Sequence, residues 1–505
     1  MSDLAGDDGL VVATRAGLVR GRRDHGLVAW RGIPYMAPPV GPLRYRAPQP
    51  LAPWTGIRNA AEFGPVAPQP RTSAAAGAGR RTPMSEDAMT VSVLRRARSA
   101  GRRPVMVYLH GGGFGIGAGS ATAYDGAGLV ARGDVVFVTV NYRLGALGWV
   151  DLSRFSRPDA PIDGNLGLRD LVAALQWVRE NIAAFGGDPD DVTIFGESAG
   201  ATAVLTLLCV PAARGLVHRA IAQSPVIGAI PDAAQAAEWA EEFRLLLDAT
   251  AAEMPERLRS ADVGELMDVT KRLGDRISAE HSGVLLLAPV IDGDVLPQRP
   301  LDAFVEGRAA PVPLVIGTNA DEGTLFQLLV RDLAATPGHV DRLFEQTLPS
   351  ARQAILGGYP AYPKGRSIAG LVTDLVFWAP AVVAAAGHSA VAPTWMYRFD
   401  FSTPLLERVG LGATHAAEID FVFGRPDSAF QRLFGLLGGR HETRAVVRRM
   451  HARWLRFASA GDPGEDWPRY DTESRRTLII DAEDRVESDP RSDARLAWEP
   501  VTALR

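Results

Sequence analysis

The stretch from Asp191 to Leu208 sets Ser198 in the cluster Gly196-Glu197-Ser198-Ala199-Gly200, between a β-type run (Val192 to Phe195) and a long apolar run of helical type. Gly-x-Ser-x-Gly at a strand-to-helix junction is a nucleophile elbow: a sharp, strained turn that lifts the serine hydroxyl above the sheet edge. Residues 196 and 200 are glycine because neighbouring backbone comes too close for a Cβ. The helix that starts after Ser198 aims its free N–H groups and positive dipole end at the place where negative charge would develop. The chemistry implied is attack of an activated hydroxyl on a carbonyl. The competing reading is a tight turn that happens to contain serine.

A serine hydroxyl is a poor nucleophile without a base, and the charge it creates needs donors. The segment "YLHGGGFGIGAG" (108–119) follows a strong β-type run and exposes successive backbone N–H groups. An N–H from such a loop, with that of Ala199, makes the expected oxyanion hole. A phosphate-binding glycine loop is disfavoured, because no Gly-Lys-Ser/Thr follows and no acidic ribose partner is placed for a dinucleotide. The chain order expected for the partners is Ser, then Asp or Glu, then His. Asp321 and Glu322 lie just past the run 312–316, and His415 lies in a loop after the run 395–399. Of the other histidines, His110 belongs to the glycine loop, and His218, His441 and His451 sit beside arginines on apparent helix ends or surface.

These residues need a scaffold. Apolar β-type runs recur at 104–109, 135–140, 192–195, 219–223, 312–316, 395–399 and 476–480. Most are continuous rather than alternating, as in strands buried on both faces of a parallel sheet. Segment 167–184 carries Leu168, Leu171, Val172, Leu175, Val178 and Ile182 on one helical face, closed by Gly186-Gly187. Strands alternating with helices imply a wound α/β sheet. The first thirty residues read as β-hairpin, residues 71–83 as an exposed loop, and 229–283 and 327–390 as helical excursions that wall a pocket. With no composition break, the 505 residues are expected to form a single domain, 1–505.

Bulk properties exclude several classes. A net charge of −4 with 47% hydrophobic and 22% charged residues gives no basic stripe for nucleic acid. No uninterrupted apolar run reaches the roughly 18 residues of a membrane span. One cysteine, Cys209, permits no internal disulfide and reads as a buried small hydrophobe. The acidic N-terminus lacks the apolar core of a secretory signal, so a cytoplasmic location is expected. The oligomeric state is left open.

At these residues the chain resembles the type-B carboxylesterase family, which includes bacterial para-nitrobenzyl esterases and the cholinesterases. The resemblance runs through "WRGIPYMAPPVGPLRYRAPQP" (30–50), "SEDAMTVSV" (85–93), "PVMVYLHGGGF" (104–114), "VNYRLGALGW" (140–149), the run 164–200, "APVIDGDVLP" (288–297), "GTNADEGTLF" (317–326), "THAAEIDFVFG" (414–424) and "WLRFASAGDP" (454–463). It implies an α/β-hydrolase fold, with a large mixed, mostly parallel sheet flanked by helices. It implies a serine carboxylic-ester hydrolase acting through an acyl-enzyme on small to medium hydrophobic esters. Ser198 is then the nucleophile, His415 the base and acid, and Glu322 rather than Asp321 the orienting carboxylate. The resemblance also implies backbone donors at Gly112, Gly113 and Ala199, with Glu197 and Ser224 in supporting positions. The Ser224 hydroxyl would satisfy a lone pair of buried Glu322, or else be an ordinary strand-end serine. No metal or organic cofactor is implied, and the partner is a small-molecule ester. The same triad serves an amidase or carbamate hydrolase, and a non-catalytic binding protein on the same fold is the remaining alternative.

Departures from the family pattern refine this. Alanines stand at 67 and 88 where the family's first disulfide would be, which leaves the intervening loop unclasped. No aromatic residue occurs between Gly64 and Thr90, so choline esters are disfavoured. Gly283 and Leu285 occupy the places that line the acyl pocket, which is therefore expected to be apolar and roomy. "QSP" replaces the usual "QSG" at 223–225. Activity is expected to rise as His415 deprotonates, with an apparent pKa on the order of 6–7.

Overall fold

Continuous apolar runs make buried parallel strands, and all seven expected runs become strands of one sheet. The computed structural model describes residues 9–72, 77–98, 101–280, 285–328, 335–346 and 351–502. Its strands are β1 (Val11–Ala13), β2 (Leu18–Arg20), β3 (Arg22–Asp24), β4 (Leu27–Pro34), β5 (Ile57–Asn59), β6 (Thr90–Arg96) and β7 (Arg103–Leu109). They continue with β8 (Val136–Val140), β9 (Gly187–Glu197), β10 (Arg219–Gln223), β11 (Leu314–Asn319), β12 (Thr394–Phe399), β13 (Arg476–Ile480) and β14 (Arg485–Ser488). A small sheet orders β1-β2-β5. The large one has 11 strands in the order β14-β13-β12-β11-β10-β9-β7-β8-β6-β4-β3. From β8 to β13 every neighbouring pair is parallel, and the antiparallel pairs lie at the two ends.

Strand side chains alternate between faces, and β7 shows the consequence. Val105, Val107 and Leu109 join one apolar core, with the helices Leu166–Asn181, Ala199–Leu207 and Ala379–Ser389. Met106 and Tyr108 join the other, against Val446, Val447, Met450 and Trp454 of the helix Arg440–Ala460. Leu168, Leu171, Val172, Leu175 and Val178 are buried as their spacing required, and Gly186 closes that segment at φ +84°. The expected excursions are helical: Ala233–Leu246, Met254–Ser260 and Val263–Glu280 in one, Pro337–Gln346, Arg352–Gly357, Gly365–Val372 and Ala379–Ser389 in the other.

The run Arg366–Ser389 is long and apolar enough to cross a membrane by length and composition, and 78% of its apolar window is buried inside the protein, as in a core helix. Its middle, Thr373–Trp378, is a π-helix. Two expectations need correction. Residues 71–83 are not exposed throughout: Gly77 and Ala78 are buried, because Ala78 packs with Val66 and Ala118. His451 is buried within its helix, its ring nitrogens facing the carbonyls of Val422 and Gly128. Cys209 is partly buried, and burial pushes its thiol up to about 12.

Candidate active site

The C-terminal ends of β7, β9, β10, β11 and β12 lead into the segments that hold Gly112 and Gly113, Ser198, Ser224, Glu322 and His415, as open α/β sheets place their ligands. Ser198 joins β9 to the helix Ala199–Leu207 at φ +58°, ψ −125°, a strained conformation for a residue with a side chain. Its N–H donates to the Gln223 carbonyl (2.8 Å), and its carbonyl accepts from Thr202 N–H (2.9 Å). Glu197 and Ala199 on either side are only 3% exposed, whereas Ser198 remains partly accessible. A Cβ on Gly200 would collide with the Leu109 carbonyl, and one on Gly196 would stand 2.6 Å from the Gly200 backbone. The elbow is pressed onto the end of β7 closely enough that only glycine fits.

The glycine loop lies against the elbow. A Cβ on Gly111 would stand 3.2 Å from Ser198 Cβ and 2.8 Å from Glu197 Oε2. Gly112 and Gly113 adopt φ +111° and +59°, and the place of a Cβ on Gly113 is open space. Buried His110 stacks on Tyr142 at 4.3 Å, and burial lowers its pKa to about 4, so it carries no charge here at neutral pH. Phe114 stacks on Trp149 at 3.9 Å, and its carbonyl accepts from Gly145 N–H (2.9 Å).

Glu322 and His415 meet from opposite sides of a 93-residue separation: His415 Nδ1–H donates to Glu322 Oε2 at 2.6 Å. Glu322 is fully buried, and its Oε1 accepts from the Asn319 backbone N–H at 2.7 Å. Asp321 has a different task. Its N–H donates to the Ala413 carbonyl (3.0 Å), and its Oδ2 accepts from Ala413 N–H (3.1 Å), tying down the histidine loop. The Asn319 side chain donates to the Thr414 carbonyl (2.8 Å) and to Glu418 Oε2 (2.6 Å). Phe326 and Phe377 flank the imidazole with ring centroids at 5.3 and 4.9 Å. Gly323 N–H donates to Thr373 Oγ1 (2.9 Å), so the π-helix supports both the carboxylate and the imidazole.

The free side of the imidazole faces the elbow, with Nε2 3.1 Å from Glu197 Oε1. Among the described residues that oxygen has no hydrogen-bond partner, so the pair interacts through charge rather than through an aligned N–H. Burial, with the negative charges of Glu418 and Glu322, raises the Glu197 pKa to about 8 against the opposing effect of His415. Burial would lower the His415 pKa, but the carboxylates of Glu197 and Glu322 outweigh it and raise it to about 9. The expectation of 6–7 took no account of two buried carboxylates beside the ring, whose effect on it is upward.

Of the two readings left open for Ser224, the bond to Glu322 is not formed: the residue is fully buried, and its hydroxyl has no hydrogen-bond partner among the described residues. The Asn319 backbone N–H serves Glu322 Oε1 instead, and Ser224 contributes its own N–H to the Gly317 carbonyl (2.8 Å). Gly283 lies outside the described residues, and Leu285 is partly buried. Leu287, two positions on, is the residue that reaches the glycine loop, 3.0 Å from where a Cβ of Gly115 would be. Sequence reasoning also missed Gln69, Asn319, Thr373, Phe377 and Glu418. Asn319 and Glu418 lay inside "GTNADEGTLF" and "THAAEIDFVFG", where polar residues at a strand end and beside the histidine were the available signal.

Comparison with known proteins gives the family and the fold. Residues 8–498 match the carboxylesterase family. The chain is 38% identical over 498 residues to the para-nitrobenzyl esterase of Bacillus subtilis (strain 168), covering 96% of this chain and 97% of that one. It is 33% identical over 490 residues to the phenmedipham hydrolase of Pseudarthrobacter oxydans, covering 93% and 94% respectively. A solved structure of a PNB esterase superposes with a TM-score of 0.84 at 38% sequence identity, covering 97% of this chain and 99% of that one.

Proposed function

This chain belongs to the carboxylesterase family, with an α/β-hydrolase fold and the activity of a carboxylic ester hydrolase, and we propose that it works through an acyl-enzyme on Ser198, with His415 and Glu322 completing the triad. Neutral His415 takes the hydroxyl proton of Ser198 at Nε2 as the oxygen attacks the ester carbonyl. The tetrahedral oxyanion is held by the N–H groups of Gly112, Gly113 and Ala199. The intermediate collapses, the alcohol leaves with the proton from His415, and an acyl ester remains on Ser198. Water, deprotonated by the same imidazole, repeats the sequence and releases the acid. Glu322 fixes the tautomer and stabilises the imidazolium. The observation that carries this reading is the imidazole held by Glu322 at 2.6 Å, with its other nitrogen turned to the residue preceding Ser198.

The substrate class we propose is a small to medium hydrophobic ester, with Leu285 and Leu287 on the acyl side of the site. The test is hydrolysis of para-nitrophenyl butyrate by the wild-type protein and by Ser198→Ala, both checked for folding. Wild-type turnover with the variant near background supports the reading; equal activity in both removes Ser198 from its role. Across a series of para-nitrophenyl esters, acetate preferred over butyrate and hexanoate by kcat/KM would overturn the roomy acyl pocket.

A further inference from the structure

We propose that Gln69 is a positioning residue for the oxyanion hole, holding the glycine loop in register with Ser198 from the loop that lacks its cross-link. The inference rests on the serine-esterase reading above. Gln69 is 1% exposed and lies far from the triad in sequence. Its Oε1 accepts from Gly117 N–H at 2.8 Å, and its Nε2 donates to the Gly117 carbonyl at 2.8 Å and to the Ala67 carbonyl at 3.1 Å. One side-chain amide thus clasps both backbone groups of a single glycine, as a neighbouring strand would. Gly77 admits the clasp: a Cβ there would stand 2.6 Å from Gln69 Oε1 and 2.9 Å from Gly117 N.

The clasped glycine closes the loop that carries the donors. Gly117 (φ +118°) packs so tightly on His110 and Gly111 that a Cβ would strike both. Between them, Gly115 and Ile116 N–H groups donate to the Gly112 carbonyl at 3.1 Å, which fixes the peptide that carries the Gly113 N–H, one of the proposed oxyanion donors. Val66, Ala78 and Ala118, with Met84 against them, form a small separate apolar cluster that seats the rest of this loop on the same segment. Ala67 and Ala88 are buried without a covalent bond between them, so the clasp at Gly117 fixes what no cross-link does.

The outcome expected follows from geometry. Donors displaced by a fraction of an ångström still admit substrate but no longer meet the developing oxyanion. Gln69→Ala and Gln69→Glu are measured, the second keeping shape and the acceptor for Gly117 N–H while losing the donors when ionised. Active sites are counted by the burst of a slow-deacylating para-nitrophenyl ester, which removes any loss of folded protein from the comparison. The per-site kcat of Gln69→Ala is expected to fall about 10- to 100-fold with KM within about two-fold. The Ki of a trifluoromethyl ketone, whose hemiketal oxyanion sits in the same hole, is expected to rise by a similar factor. The pH at which kcat/KM rises is expected to stay in place. A residue that only stabilises the fold would lower Tm and the number of active sites, leaving per-site kcat and the ketone Ki within about two-fold of wild type; that result, in either folded variant, overturns the proposal. Residual full activity in Ser198→Ala is a separate outcome, and it would remove the serine reading without reference to Gln69.

Discussion

The two halves of the site are held by different means. The nucleophile half is backbone against backbone: Gly196, Gly200 and Gly111 let β9, its helix and the loop after β7 come closer than any Cβ allows. The acid–base half is side chain against side chain. Glu322 and His415 are 93 residues apart and are positioned by Asn319, Asp321, Thr373, Phe377 and Glu418. A steric scaffold tolerates almost no change of shape and is indifferent to charge. A polar network tolerates small changes of shape and responds strongly to charge. The halves should therefore fail differently.

The largest effect is expected in the polar half. Glu322→Gln keeps volume but offers the imidazole an amide that can present N–H where a carboxylate accepted one. The per-site kcat should fall by about 10³- to 10⁴-fold, KM little changed and the urea midpoint near wild type. A fall of less than ten-fold would show that Glu322 does not orient the base. Gly200→Ala should give the opposite signature. Its Cβ would meet the Leu109 carbonyl and stand 2.9 Å from the His110 carbonyl, neither of which can rotate away. A loss of about 3 kcal/mol or more in urea unfolding is expected. Wild-type stability would mean that the elbow and β7 are less closely pressed than described.

The same contrast explains what was legible in the sequence. A steric constraint writes itself locally: small residues at 196 and 200, a glycine run at 111–113, and continuous apolar strands around them. Those signals pointed to Ser198 and to the glycine loop without any knowledge of distant contacts, and the structure brings the two together. Nothing local distinguishes His415 from the other histidines beyond chain order and its following a strand. Choosing Glu322 over Asp321 needed the family pattern, and the structure gives a physical reason, since Asp321 is occupied in bonds to Ala413. The two readings of the Ser224 hydroxyl could not be separated in the sequence, because the backbone N–H of Asn319 that serves Glu322 is invisible to side-chain reasoning. The upward pKa of His415 depends on carboxylates that converge on it only in the fold and outweigh the opposing effect of burial.

A more distant support belongs to the polar half. Asp374, in the π-helix behind Phe377, is fully buried and accepts from Arg491 Nη1 at 2.5 Å and from the Tyr359 hydroxyl. Arg491 also lies over the Trp378 ring at 4.7 Å. It immediately precedes the helix Ser492–Thr502, so the end of the chain braces the segment that touches His415. Arg491→Ala leaves a buried carboxylate without its cation, and a loss of about 2–3 kcal/mol is expected, at the low end for a broken buried pair because the arginine is itself one-third exposed. Per-site kcat should fall several-fold as Phe377 loosens. Unchanged stability and kcat together would detach this pair from the site.

The smallest effect is the one that most sharply separates the halves, because it concerns charge alone. Glu197 belongs by sequence to the elbow, but its carboxylate acts on His415 across 3.1 Å. In the wild type the imidazole must lose its proton to act as base, and its pKa is raised to about 9, so kcat/KM should climb at a pH well above the ordinary histidine value of about 6.5. The stability contributed by the charged ring has the same window: it is complete below the unfolded value and is lost as pH rises through about 9. Glu197→Gln removes a carboxylate that, with its own pKa at about 8, is ionised in the range of this limb; the change destabilises the imidazolium and should move the ascending limb of kcat/KM toward acid by about one unit or more. The variant should then retain a larger share of its maximal activity at pH 7 than the wild type does. A limb that stays in place would mean that Glu322 alone sets the basicity of the ring. Gln69→Ala should do the reverse, lowering the plateau without moving the limb, since the amide it removes carries no charge and hydrogen-bonds to the backbone of Gly117 and Ala67.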